Sequence, residues 1–171
     1  MIIDAQIITR PDSGEYTERI YDHENVWNSG NWSFVKFTND DYFELCGQFR
    51  GAPVQVAISG KHNTVLVLTS DYLFQLDKTT GDVTDLENSP SYKNLTVTPG
   101  GDFIIADNYT FEKITAGIHH KEPIDSSIEM DNIRFKHWEG CKLVFTSEEF
   151  MSWDRILEMV YDSETNKIYR K

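Results

Sequence analysis

The sequence predicts an all-β protein, mainly antiparallel, built from about four repeated β-hairpin units. Three observations lead there. The stretch TNDDYFEL (38–45) returns without gaps as TSDYLFQL (69–76), ADNYTFEK (106–113) and TSEEFMSW (146–153). A short apolar run leads into each copy: WSFVKFT (32–38), TVLVLT (64–69), DFIIAD (102–107) and KLVFTS (142–147). Turn formers bound these runs, as they do in buried strands. The copies start at 38, 69, 106 and 146, a period of 31 to 40 residues that marks a repeat architecture.

The chain length of 171 residues predicts a single domain, with residues 1–30 as an N-terminal strand and polar loop and residues 31–171 as the four repeats. The first segment holds one strand, IIDAQIIT, and ends in the polar, aromatic stretch YDHENVWNSGNW. In each repeat, Phe37, Leu68, Ile105 and Phe145 stand just before the phrase, with Val35, Leu66, Phe103 and Leu143 two positions earlier. Spacing of two puts each pair on one strand face. The third phrase position holds Asp40, Asp71, Asn108 and Glu148, acids or amides suited to bond the backbone of a bend. The sixth holds Phe43, Phe74, Phe111 and Met151, expected to anchor the core, and the seventh Glu44, Gln75, Glu112 and Ser152, expected to face away. Upstream, Gly30, Gly60, Gly101 and Gly140 precede the first strands, and VQVAIS, NLTVTP and IRFKHWE read as further strands. Downstream, LDKTTGDV (76–83) matches YDSETNKI (161–168) and puts Gly81 or Asn166 where a hairpin needs a left-handed residue. ITAGI (114–118) reads as a shorter version. The last phrase runs on into SEEFMSWDRILEMVY (147–161), where Trp153, Ile156, Leu157 and Val160 recur at helical spacing and Thr146 with Glu149 fits a capping box. A C-terminal helix and a strand are therefore both open over 147–161.

The strand-turn-strand unit resembles a β-propeller blade. The run AISGKHNTVLVLTSDYLFQLDKTTGDV (57–83) is similar to the blades of WD-repeat and quinoprotein-like propellers, and the likeness is best over 54–86. The Trp-Asp dipeptide of the former occurs here at Trp153–Asp154, outside its blade position. The resemblance implies a small or partial propeller-like array.

With 28 acidic against 16 basic residues the net charge is −12. That disfavours direct binding of nucleic acid or of anionic membrane surfaces, both of which need basic residues, and it favours a basic protein partner. The cysteines Cys46 and Cys141 sit in strand-like contexts with no CxxC pairing, which favours buried free thiols and leaves one disulfide as the alternative. The N-terminus lacks the basic region of a signal peptide, and no apolar run approaches the roughly 18 residues of a membrane span. The expected location is the cytoplasm, where the sequons at Asn31, Asn94 and Asn108 go unused.

No residue pattern supports catalysis, a metal or a cofactor. His119 and His120 are adjacent and would point to opposite strand faces; His23, His62 and His137 are scattered. No GxSxG elbow, HExxH or GK[ST] loop occurs, and the position twelve from Asp77 is Asn88 rather than the Glu of an EF-hand. Acids such as Asp40–Asp41 and Glu148–Glu149 fall at turns, where solvation keeps them ionised.

What remains is surface. If the four bends gather at one edge, that edge carries Asp40, Asp41, Asp71, Tyr72, Asn108, Tyr109, Glu148 and Glu149. Acids interleaved with Tyr suit protein recognition, because Tyr supplies contact area at low entropy cost and the acids complement a basic partner. The loop bearing Trp27 and Trp32, with Asp22 and Glu24, is a second candidate, and the acidic linker of Glu122, Asp125, Glu129 and Asp131 a third. In size and acidity the chain resembles the cognate immunity proteins of bacterial toxin–immunity systems. That resemblance implies an inhibitor that occludes a basic toxin domain, such as a nuclease. The alternatives are a propeller-like scaffold subunit of a larger assembly and a hydrolase using a carboxylate pair.

Overall fold

The computed structural model describes residues 1–171, apart from the side chains of Trp153 and Asp154. Among the described residues every regular element is a strand, and the all-β, mainly antiparallel class is as expected. The strands form four four-stranded sheets. The chain divides into two compact units, Met1–Pro90 and Ser91–Lys171, each holding two of the sheets.

In the first unit, β1 (Ile2–Ile8), β2 (Thr17–Tyr21), β3 (Trp32–Asn39) and β4 (Glu44–Arg50) form a sheet in the order β1-β3-β4-β2. β2 pairs with β4 in parallel, Thr17 opposite Leu45 and Tyr21 opposite Phe49. β1 and β2 therefore lie at opposite edges, so residues 9–16 must cross the sheet, as parallel connections require. Arg10, Pro11 and Ser13 of that crossing border a hollow with Trp32, Phe34 and Gln48. Gly51 and Ala52 then link β4 to the meander of β5 (Pro53–Ser59), β6 (Thr64–Thr69), β7 (Tyr72–Asp77) and β8 (Val83–Asn88). Val35, Phe37 and Phe49 of the first sheet pack with Val65, Val67, Phe74 and Leu76 of the second. Tyr21 stacks on Phe49 with ring centroids 4.3 Å apart. Each such buried side chain contributes roughly 2–3 kcal/mol by burial alone.

In the second unit, β9 (Asn94–Val97), β10 (Phe103–Ala106), β11 (Phe111–Gly117) and β12 (His120–Pro123) form one meander. The other comprises β13 (Met130–Glu139), β14 (Lys142–Glu149), β15 (Ser152–Asp162) and β16 (Lys167–Arg170). The shared core includes Ile104, Phe111, Ile133, Phe145, Met159 and Tyr161. Asn94, only 6% exposed, acts as a surrogate backbone between the two sheets. Its Nδ2 donates to the Ile133 carbonyl and its Oδ1 accepts from the Phe135 N–H, both at 2.9 Å. Trp138 Nε1 adds a bond to Thr96 Oγ1 at 3.0 Å. A glycan on Asn94 would break the amide pair, so that sequon cannot be used by the folded chain.

Several expectations need correction. Of the two readings open over 147–161, the strand is the one formed: Leu157, Met159 and Tyr161 are buried and Ile156 and Glu158 exposed, with Val160 buried on the other face as well. Pairing along β14, with Leu143 opposite Tyr161 and Phe145 opposite Met159, decides what the local spacing left open. The Trp153 side chain in that reading lies outside the described residues. Phe43 is not a core anchor, being 48% exposed, and Met151 is also exposed, whereas Phe74 and Phe111 are buried as expected. The turn formers are not the third-column acids. Asp41 Oδ1 accepts from the Phe43 N–H, Thr69 Oγ1 from those of Asp71 and Tyr72, and Asp107 Oδ1 from those of Tyr109 and Thr110. Gly81 and Asn166 do take the left-handed conformation, with φ of 72° and 54°.

Burial pushes the hydroxyl of Tyr21, which donates to the Gly81 carbonyl at 2.9 Å, from 10.0 up to about 12, and it does the same for Tyr161, bonded to Asn166. The folded-state value is raised, so the contribution of these groups to stability is intact below the ordinary phenol value and is lost as pH rises through about 12. In an alkaline titration followed by phenolate absorbance, Tyr21 and Tyr161 are expected to ionise late, near pH 12. Absence of any phenolate step above about pH 11, with circular dichroism unchanged, would show that neither is shielded.

Candidate functional site

The expected docking residues separate into distinct places. In the first unit, the β3–β4 bend and the β6–β7 bend lie at opposite ends of the sheets. The short Gly51–Ala52 link reverses the chain, so β6 ends beside the end of β4: Thr69 Oγ1 donates to the Arg50 carbonyl at 2.8 Å, and Ser70 N–H donates to the Ala52 carbonyl at 2.8 Å. The Asp40–Asp41 bend is at the far end of β3. There Asp40 is engaged by the Met1 amino group, and that bond holds its carboxyl below the usual range, while Asp41 braces the turn. Tyr42 at this bend is exposed and has a left-handed φ of 63°.

The other first-unit candidates converge on the 22–31 loop. Tyr72 is 1% exposed, so it is an anchor beneath the loop and not a surface residue as the sequence suggested. Its hydroxyl bonds to Asn28 Oδ1 and to the His23 carbonyl. Asp71 Oδ2 accepts from the Ser29 N–H at 2.7 Å. Burial pushes the Asp71 carboxyl up, but its bonds from Ser70 and Ser29 outweigh that and leave it below the usual carboxylate range. Asp22 receives two bonds from the Arg50 guanidinium, at 3.0 and 2.7 Å, and these bonds lower its pKa. The same guanidinium lies 3.9 Å over the Trp32 ring, so Trp32 is a support of the loop base. Within the loop, Asn25 and His23 accept bonds from Trp27 and Asn28. The outcome is a braced loop that holds Val26 and Trp27 at 91% and 83% exposure. Glu24, also exposed, lies beside them. The sequence picked out Trp27 but not its supports, whose bonds to the loop span up to 49 positions in the chain.

In the second unit the bends do come together. The Asn108 carbonyl accepts from the Ile133 N–H at 3.3 Å, and Tyr109 and Phe150, one from each bend, border the same pocket. That pocket, of about 380 Å³, is bordered by the 123–130 segment, which holds Asp125 and Glu129 of the acidic linker expected as the third candidate surface. Two hydrogen bonds and a β-bridge tie this segment down: the Ile124 N–H donates to the Phe111 carbonyl, the Phe150 N–H donates to the Glu129 carbonyl, and Ser126 pairs in parallel with Ile168. Glu148 accepts from Asn132 Nδ2 at 2.7 Å and Glu149 pairs with Arg155 at 3.0 Å, so both acids of this bend are engaged.

Among the described residues, one set of possible metal ligands converges: Cys141, Asp162 and Glu164 offer atoms within 4.8 Å of one another. Asp162 Oδ1 there accepts from the N–H groups of Glu164 and Thr165, which is the chemistry of the β15–β16 turn. Cys46 is a buried free thiol that burial pushes up, and Cys141 is free and half-buried. No helix among the described residues is long and apolar enough to cross a membrane.

No protein family matches the chain, and no curated protein does. Among solved structures the chain is similar to one from an S. cerevisiae complex of Dbp5 bound to Nup159, Gle1, IP6 and ADP. The identity is 8% and the TM-score 0.47, over 91% of this chain and 43% of that one. The chain thus spans less than half the length of that protein.

Proposed function

We propose that the chain is a non-catalytic protein-binding protein that docks a basic protein partner through the 22–31 loop. The observation that carries this reading is Trp27, held out in solvent on a loop braced from below by Asp71, Tyr72 and Arg50. An exposed aromatic at a fixed position loses little entropy on binding, which is how interface hot spots are made. Charge supports a basic partner. Met1–Pro90 carries 14 acidic and 6 basic residues, net −8, against 14 and 10, net −4, in Ser91–Lys171.

In its most concrete form this is an immunity protein acting on a basic toxin, such as a nuclease. Trp27 seats in a pocket of the toxin while acids around the loop occupy the positions its active site keeps for phosphates. Capture is then fast and weakened by salt. Trp27→Ala is expected to weaken inhibition of the partner nuclease by about thirtyfold or more, a hot-spot loss of roughly 2 kcal/mol. Unfolding of the free protein should not change, since the side chain is exposed. Equal inhibition by the wild type and the variant would remove the loop from the interface, and inhibition indifferent to salt would remove the electrostatic part.

A second reading, a propeller-like scaffold subunit, draws on the four four-stranded sheets. It requires self-association or incorporation into an assembly, which sedimentation of the purified chain distinguishes from a monomer that inhibits a toxin.

A further inference from the structure

The second-unit pocket has a chemistry of its own, independent of the 22–31 loop. Its floor is Phe111, whose ring meets those of Phe135 and Tyr161 with centroids 5.1 Å apart in each case. Its rim carries the partly exposed rings of Tyr109 and Phe150, and Ile128 adds an aliphatic wall. Among the described residues two carboxylates line it, Asp125 and Glu129, and no Lys, Arg or His does. Neither carboxylate has a side-chain partner among the described residues. Arg155, the basic residue closest in sequence to Phe150, is already paired with Glu149.

Aromatic faces attract a cation through the negative potential above the ring, and they shield it from water. Two exposed carboxylates at its border add attraction that remains modest in water and adds to that of the rings. An anion would meet the same carboxylates as repulsion, and a neutral apolar guest would leave them unused. A volume of about 380 Å³ fits a small ligand or one side chain, within the usual range for such sites. The contacts that tie the 123–130 segment to β11, β16 and the β14–β15 bend fix this geometry before any ligand arrives.

We propose that the pocket formed by Tyr109, Phe111, the 123–130 segment and Phe150 binds an organic cation, an ammonium group carried on an apolar body. Binding to the full chain can be followed by nuclear magnetic resonance titration with phenethylammonium, its neutral analogue phenethyl alcohol and the anion phenylacetate. Phenethylammonium is expected to bind at least tenfold more tightly than the alcohol, with shifts confined to residues around the pocket, and phenylacetate not to bind. The double variant Asp125→Asn, Glu129→Gln changes only exposed side chains, so it folds. It should bind amine and alcohol alike. A further arm uses Nα-acetyl-lysine methylamide, whose ε-ammonium stays free. Tighter binding of that probe than of phenethylammonium assigns the cation to a protein lysine, and weaker binding assigns it to a free amine. Equal affinity of the wild type for amine and alcohol, or no pocket shifts with any cation, would overturn the proposal.

Discussion

Gly51→Ala is expected to destabilise the first unit by about 3 kcal/mol and to weaken partner binding as well. Gly51 has a φ of +103°, a conformation that costs a side-chain-bearing residue about 1–2 kcal/mol. An added Cβ would lie 2.6 Å from Thr69 Oγ1 and 2.8 Å from the backbone nitrogen of Asp71. The second atom belongs to the main chain and cannot rotate away, so overpacking adds roughly 1–3 kcal/mol. Thr69 Oγ1 bonds the Arg50 carbonyl and caps the N–H groups of Asp71 and Tyr72, so displacing it moves the two residues that brace the 22–31 loop. The melting temperature should fall by roughly 6–12 °C, the response of a chain this size to that loss. Gly60→Ala is the control: its φ is ordinary, the nearest atom to a new Cβ is Lys78 Nζ at 4.0 Å, and stability should change by no more than about 0.5 kcal/mol. If the two variants melt together, the close approach at Gly51 is relieved at no cost and the link between β4 and β5 is looser than described.

Asn94→Ala is expected to cost about 3 kcal/mol in the second unit. The Asn94 amide satisfies the Ile133 carbonyl and the Phe135 N–H from a nearly solvent-free position. Removing it strands both groups, at roughly 1–3 kcal/mol each. Asn94→Asp separates the two bonds, because a carboxylate still accepts from Phe135 but cannot donate to Ile133 and instead faces its oxygen. It should be at least as destabilising as alanine in urea unfolding. A loss under about 1 kcal/mol for alanine would mean that water enters and replaces the amide.

How much of this was legible depended on whether the determining contacts are local. β3, β6, β10 and β14 could be read from apolar runs bounded by turn formers, and Gly81 and Asn166 from turn geometry. The buried face could not be read uniformly. In β3 and β14 the columns at Val35 and Phe37, and at Leu143 and Phe145, face the shared core. In β6 and β10 the residues that do so are Val65 and Val67, and Ile104 and Ala106, while Leu66, Leu68, Phe103 and Ile105 are equally buried on the other face. A strand buried on both sides has no alternation to read. β15 remained open because four apolar residues happened to match a helical period, and only its partner strand excludes that. Among the site residues, Trp27 was legible as an aromatic in a polar loop. The roles of Tyr72 and Trp32 were not, because Asn28 and Arg50 reach them across the fold. The acids Asp125 and Glu129 were visible, but the pocket they line depends on backbone bonds that leave no trace in side-chain pattern.

The parallel pairing of β2 with β4 has a consequence for motion. The meander from β5 to β8 is closed by tight turns, while β2 sits at a sheet edge and reaches β4 only after residues on both sides of it have been looped out. Ordering such loops costs entropy that their few local bonds repay only in part. The amides of β2 should accordingly exchange with solvent hydrogen sooner than those of β6 and β7, as the lowest rung of local opening. The chain leaves β2 at Tyr21 and enters the Trp27 loop at the next residue. When that edge frays, the loop loses one of its two roots, so the rate of fraying sets how long Trp27 stays poised for a partner.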